Sequence, residues 1–233
     1  IPFLAGLGGG SSDAAQLLYA LNFALGLDKT RRELYEIGAK LGSDMTATMC
    51  DGLTYVYHTG NEFSELGELT SQLMPTLLGC WVVILKPVEC VVTKLAYRDF
   101  REANPTLPEY DEGEYRQLSN YMVKRQLSQL GSIGKGPKNQ FEFDDLTRLL
   151  RNDFEPTVFS RYREVEQGVT ELKSRGVRDV LLAGSGSALL GFVQSAAQAR
   201  EVVSSLQTLA KAGWFVSSGK FIEDVRSWAV AKW

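Results

Sequence analysis

Apolar positions change their period several times along the chain, and each change marks an element. Ala14, Ala15, Leu17, Leu18, Ala20 and Leu21 recur at helical spacing, which predicts a helix from 13 to about 25 with Gly26 as its stop. Residues 1–4 before it fit the end of a strand. Thr30 and Glu33 form a capping-box pair, and Leu34, Ile37 and Leu41 mark the buried face of a second helix that ends at Gly42. Alternation over 52–59 predicts a strand, with a turn at Gly60-Asn61-Glu62; Tyr55 and Tyr57 share one face as packing residues. Residues 67–78 read as polar and end at Met74-Pro75, a junction between domains.

The unbroken apolar run 80–85 has strand length and stops at Lys86-Pro87. Thr93 reads as the cap of a helix through Ala96, Tyr97 and Phe100. The stretch 101–138, with two prolines and Glu109, Asp111, Glu112 and Glu114, reads as a surface loop holding a helix at 121–130 and a glycine turn at 131–136. Val165, Val169 and Leu172 give the next helix its apolar face, ended by Gly176. Val180 to Leu182, then Gly184-Ser185-Gly186-Ser187, then Ala188 to Val193 predict a hairpin. A helix over 196–212, a strand over 214–217 and a closing segment over 221–228 complete an α+β pattern.

Composition narrows the function classes. The chain has 233 residues, 44% hydrophobic and 23% charged, which is enough for one large core or two modest ones. A net charge of −3 gives no electrostatic footprint for nucleic acid or an anionic membrane. Cys50, Cys80 and Cys90 are odd in number and widely spaced, so neither zinc nor a disulfide framework is indicated and a reducing compartment is the default. The single His58 leaves no His-based metal site or serine triad to build. No apolar run reaches the roughly 18 residues of a membrane helix.

Candidate chemistry concentrates at the start. Gly6, Gly8, Gly9 and Gly10, interrupted by Leu7, run into Ser11, Ser12 and Asp13, which stand where N-cap acceptors belong. A glycine loop feeding a helix N-terminus presents amides and a positive dipole end, which suits phosphate. A serine-capped turn before an ordinary core helix fits the same residues. A Walker loop is excluded because no lysine is present, and the GxGxxG/A dinucleotide fingerprint fails at Ser11. Further on, Leu41-Gly42-Ser43-Asp44 read alone is a helix end followed by a solvated aspartate.

Pro2, Gly6-Leu7-Gly8, Ser11-Ser12 and Ala14-Ala15 resemble the phosphate loop of the GHMP kinase family of small-molecule kinases. The longer GLGGGSSDAA with Leu21-Asn22 resembles the diphosphocytidyl-methylerythritol kinases within it. Three later segments match in order: LGSD, the Lys86-Pro87 strand, and Asn152-Asp153-Phe154-Glu155-Pro156 with the Gly-Ser-Gly-Ser turn. The resemblance covers nearly the whole chain outside 101–138. Departures are Met45 to Met49, where the family has Val-Pro-Phe-Phe, Val92 for a serine, and Ala183 at the first serine of the third motif.

The resemblance implies a two-domain fold, with a ribosomal protein S5 domain 2-like N-terminal domain over 1–75 and a ferredoxin-like C-terminal domain over 76–233. It implies ATP and Mg²⁺ as cofactors and a small-molecule substrate, the 2-hydroxyl of 4-diphosphocytidyl-2-C-methylerythritol in non-mevalonate isoprenoid synthesis. Ala5, Gly6, Leu7, Gly8, Gly9, Gly10, Ser11 and Ser12 would bind the triphosphate, with Ser12 near the metal. Asp44 would orient or deprotonate the hydroxyl, and Gly184, Ser185, Gly186 and Ser187 would buttress the loop. Another GHMP kinase with a mevalonate- or homoserine-type substrate, or a non-catalytic nucleotide-binding relative, remains open at this point. A chain opening on Ile1 inside its main motif reads as a fragment, with the family's lysine and base-binding residues before it. A monomer or homodimer in the cytoplasm, or in the plastid stroma of a eukaryote, completes the expectation.

Overall fold

The computed structural model describes residues 1–50, 54–57, 62–65, 67–106 and 141–222. These separate into two compact units. One spans Gly8–Met74; the other joins Ile1–Leu7 to residues 75–106 and 141–222. His58, the loop readings over 107–138 and the closing segment beyond 222 lie outside the described residues.

The first unit contains α1 (Gly9–Ala24), α2 (Arg31–Leu41), α3 (Met45–Met49) and the antiparallel pair β1 (Thr54–Tyr57) and β2 (Glu62–Glu65). Helix α1 starts at Gly9, four residues before the expected Asp13, and Gly8 is its N-cap. Ser11, Ser12 and Asp13 therefore lie inside the helix and cap nothing. Its end is as predicted: Gly26 has φ +57°, its N–H bonds Phe23 O, and the Leu27 N–H bonds Asn22 O, the paired bonds of a Schellman motif. Helix α2 carries the expected capping box, in which the Thr30 hydroxyl accepts from Glu33 N–H and the Glu33 carboxylate accepts from Thr30 N–H at 2.9 Å. The buried face differs from the expected one. Leu34 and Gly38 are buried, while Ile37 and Leu41 are exposed, because the close approach of α3 is made at Gly38, where Met49 Sδ crowds the missing side chain. Helix α4 (Gly67–Gly79) runs through the expected junction at Met74-Pro75, where the two units divide, and carries Pro75 inside it. Leu73 and Leu77, one turn apart and both buried, supply the apolar stripe that outweighs the proline.

The second unit is built on β3 (Trp81–Lys86), followed by α5 (Thr93–Ala103), α6 (Phe143–Arg148), α7 (Glu155–Arg161), α8 (Arg163–Lys173), β4 (Asp179–Leu182), β5 (Leu189–Val193), α9 (Ala196–Ser205), α10 (Gln207–Lys211) and β6 (Phe215–Lys220). The expected single helix over 196–212 is thus two, broken at Leu206. The four strands are antiparallel in the order β4-β5-β3-β6, and with α8 and α9 they make the ferredoxin-like β-α-β-β-α-β arrangement. Register places Val83 opposite Gly191 and Leu85 opposite Leu189, so β3 and β5 present one apolar face. Val83, Leu85, Leu182, Leu189 and Val193 pack there with Val165 and Leu172 of α8 and Ala199 and Val202 of α9. Each such side chain contributes about 1.5–3 kcal/mol by leaving water.

The opposite face receives Ile84 and Leu190, which pack with Ala5, Leu7, Ala183 and Ala188. Residues 1–4 are not a strand. Leu4 has φ +50°, incompatible with a β-ladder, and the segment instead lends two carbonyls: Leu4 O accepts from Ser187 N–H at 3.4 Å and Ala5 O from Ala188 N–H at 3.0 Å.

Candidate active site

In the β3 unit, the first part of the glycine loop lies directly against the turn between β4 and β5. Gly6 has φ +73°, and a Cβ built on it would lie 1.9 Å from Ala183 O; a Cβ on Gly184 would lie 3.2 Å from Gly6 O. Backbone meets backbone here, and only glycine allows it. Ala5 is buried beside Ala183 and Ala188, so the alanine at the turn's first position fills a small apolar gap that a serine hydroxyl would make polar. The structure thus brings Ala5, Gly6 and Leu7 together with Gly184, Ser185, Gly186 and Ser187. Ser185 Oγ lies 3.0 Å from Thr93 Oγ1, so Thr93 joins the turn and caps no helix; Val92 is the N-cap of α5. Ser187 is fully buried, and its hydroxyl has no hydrogen-bond partner among the described residues.

Gly8, Gly9, Gly10, Ser11, Ser12 and Asp44 belong to the other unit. The N-cap Gly8 (φ +63°) provides no side-chain bond to the helix end, and no acidic residue occupies the first turn of α1. A Cβ on Gly8 or Gly10 would meet nothing within 4 Å. The result is an open helix N-terminus whose first amides and positive dipole end are left for an anion. Asp44 follows the extended C-cap Gly42 and leads α3; its carboxylate is exposed and accepts from Ser43 Oγ at 3.3 Å. Thr48, one helical turn later, donates its amide to Asp44 O and its hydroxyl to Met45 O at 2.8 Å, and the same hydroxyl oxygen lies 3.4 Å from Ser11 O. That contact sets the aspartate turn beside the first turn of α1.

The departure at Met45 to Met49 has a structural role. Met45 and Met49 are buried with Ala15 and Leu34, and Met49 O accepts from both Tyr19 and Tyr35 hydroxyls at 3.1 Å. Flexible thioethers fill the space behind Asp44. A cleft of about 630 Å³ opens along α2 between Arg31, Arg32, Tyr35, Thr46 and Phe63, and none of the expected site residues lines it. Burial there pushes the Tyr35 phenol up, so it stays protonated and donates.

The donor set suits a nucleotide triphosphate: main-chain amides, two serine hydroxyls, and no first-turn carboxylate to repel it. Among the described residues no cluster of three metal-ligating side chains occurs. Mg²⁺ accompanying a nucleotide takes most of its ligands from phosphate and water, and one hydroxyl such as that of Ser12 suits it.

Asn152 and Glu155 were missed from the sequence, where they read only as a helix opening. Asn152 Nδ2 donates to Leu182 O at 2.8 Å and Gly184 O at 2.7 Å, and Glu155 Oε1 accepts from Leu182 N–H at 2.9 Å. Polar residues repeated within a matched motif were the available signal.

Comparison with known proteins identifies the family. A family profile described as the GHMP kinases N terminal domain matches residues 1–54. The chain is 30% identical over 222 residues to a 4-diphosphocytidyl-2-C-methyl-D-erythritol kinase of Geobacter sp. (strain M21), covering 95% of this chain and 67% of that one. It is 31% identical over 223 residues to the protein of the same name from Citrifermentans bemidjiense, with the same coverage. In fold it resembles a crystal structure of 4-(cytidine 5'-diphospho)-2C-methyl-D-erythritol kinase, with TM-score 0.61, 23% identity, and 95% of this chain and 69% of that one covered. It also resembles homoserine kinase from Cytophaga hutchinsonii, with TM-score 0.62, 15% identity, and 96% and 68% covered. At 30–31% identity to the Geobacter and Citrifermentans relatives over 95% of its length, and with the family profile matched at its start, the chain belongs to the 4-diphosphocytidyl-2-C-methyl-D-erythritol kinase family of the GHMP kinases.

Proposed function

We propose that this chain transfers the γ-phosphoryl group of ATP to the 2-hydroxyl of 4-diphosphocytidyl-2-C-methyl-D-erythritol. The observation that carries the reading is the bare N-terminus of α1, set beside the turn that bears Asp44 by the packing of Ala15 with Met45 and Met49. In the proposed assignment, Gly8, Gly9, Gly10 and Ser11 present amides to the phosphates, and the Ser12 hydroxyl faces the metal. ATP with Mg²⁺ supplies the phosphoryl group and neutralises the charge that spreads over it during transfer. An Asp44 carboxylate oxygen takes the proton of the attacking hydroxyl and holds that oxygen in line. Ala5, Gly6 and Leu7, backed by Gly184, Ser185, Gly186 and Ser187, fix where the loop begins. We place the boundary between the ATP-binding and C-terminal domains at residues 75/76. With no disulfide among Cys50, Cys80 and Cys90, a reducing cytoplasm is the proposed setting. Among the described residues no helix is long and apolar enough to cross a membrane.

The test is phosphoryl transfer by the protein with ATP, Mg²⁺ and this acceptor, with Asp44→Asn alongside. Product from the wild type and a loss of roughly 100- to 10,000-fold in the variant is expected for a lost general base. Equal product from both proteins removes Asp44 from the chemistry. No product from either, with ATP still bound, moves the reading to another acceptor.

A further inference from the structure

Resting on that reading, we infer that Asn152 and Glu155 are positioning residues that set the start of the phosphate loop through the Gly184 turn. Asn152 spends both amide hydrogens on the hairpin, at Leu182 O and Gly184 O, while its Oδ1 accepts from Phe154 N–H at 2.9 Å. Glu155 holds the Leu182 N–H. The last residue of β4 therefore has both of its main-chain polar groups fixed by side chains of the 152–155 segment, about 30 residues away.

What is fixed is the orientation of the two carbonyls, Leu182 O and Gly184 O, on either side of the Ala183 carbonyl. The Ala183 carbonyl is the atom that closes on Gly6, and it also accepts the Gly186 N–H at 2.8 Å, which folds the turn. One residue pair further, Ser187 and Ala188 donate to Leu4 and Ala5. Rotating the Ala183–Gly184 peptide would drive its oxygen into Gly6 or withdraw the support beneath it. Asparagine is the side chain that does this work because it donates twice and accepts once from a single planar group. Aspartate has the same shape but sets oxygen against two carbonyl oxygens.

The experiment compares wild type with Asn152→Asp by hydrogen–deuterium exchange, and in parallel measures KM for ATP and kcat. Two lost hydrogen bonds to the turn predict about tenfold faster exchange in peptides covering 4–12 and 183–188, with 81–86 and 163–173 unchanged. They also predict a KM for ATP raised roughly tenfold, with kcat moved less. Asn152→Ala repeats the measurement without adding charge if the aspartate variant does not accumulate. Wild-type exchange over 4–12 in the variants overturns the inference, and so does an equal rise across the sheet or unfolding of both variants, which would assign Asn152 to the fold alone. A loop that loosens in a protein that transfers no phosphoryl group supports the inference and removes the activity on which it rests.

Discussion

Among the described residues, sixteen buried apolar side chains form one cluster around β3, whereas Ala15, Leu34, Met45 and Met49 form the cluster shared by α1, α2 and α3. The expected site residues are distributed over both units. The open amides of α1 and the Asp44 carboxylate sit on the α1–α3 unit, while Ala5, Gly6 and the serine–glycine turn sit on the β3 unit. The support of a ligand-engaging loop needs conformations locked by packing. The support here is backbone on backbone, cross-braced by Asn152 and Glu155, with no long side chain left to choose its conformation.

The largest effect expected is on turnover alone. Asp44→Asn should abolish most transfer while leaving the denaturant midpoint unchanged, because its carboxylate is exposed; a shifted midpoint would mean that the acid also holds the fold. Next, Leu172→Ala in the β3 unit should cost about 2–5 kcal/mol of stability, and Leu34→Ala less, since Met45 and Met49 can move into the space. Denaturant titration of the two variants decides it, and an equal or reversed ranking would break the contrast between the cores. Thr30→Ala should cost about 1 kcal/mol through loss of the cap. Its partner Glu33 is held down to about 2, first by Lys29 and then by the Thr30 amide and hydroxyl. A depressed carboxylate contributes stability above its ordinary value near 4.5 and loses it as pH falls toward 2. Helix α2 should therefore loosen over that window in the wild type, and a chemical-shift titration of Glu33 with its midpoint near the ordinary value would refute the box. The smallest effect is chemical: burial pushes the Cys80 thiol up to about 11, and the residue is 1% exposed. Maleimide should label the exposed Cys90 in minutes and Cys80 only after unfolding, as counted by mass spectrometry.

The features legible in the sequence were those governed by neighbours along the chain. The run ending at Lys86-Pro87 is β3, Gly26 closes α1, Thr30 and Glu33 form their box, and the Gly-Ser-Gly-Ser turn joins β4 to β5. Three misreadings share a cause. Glycine's poor propensity placed the start of α1 at the serines, yet Gly9 and Gly10 are helical because Gly8 turns the chain into the helix. Ile37 and Leu41 fit the period of a buried face, but the contact is made through Gly38, which no apolar count would select. Residues 1–4 have strand-like composition and lie against a hairpin, but φ +50° at Leu4 keeps them out of the ladder. At the site, the loop and turn were visible as motifs. The clamp at Asn152 and Glu155 was not, because its partners are main-chain atoms about 30 residues distant and leave no trace in residue type.

The pairing of Ala5 with Ala188 also orders events during synthesis. The two residues are about 180 positions apart, so the opening of the glycine loop stays unanchored until the β4–β5 hairpin has left the ribosome. At roughly 5–20 residues per second that interval is on the order of ten to forty seconds, during which Ala5 and Leu7 have no hairpin to cover them. Helices α1 and α2, closed by local caps, can form well before then. The nascent protein thus acquires its helix N-terminus early and the seat for its loop last.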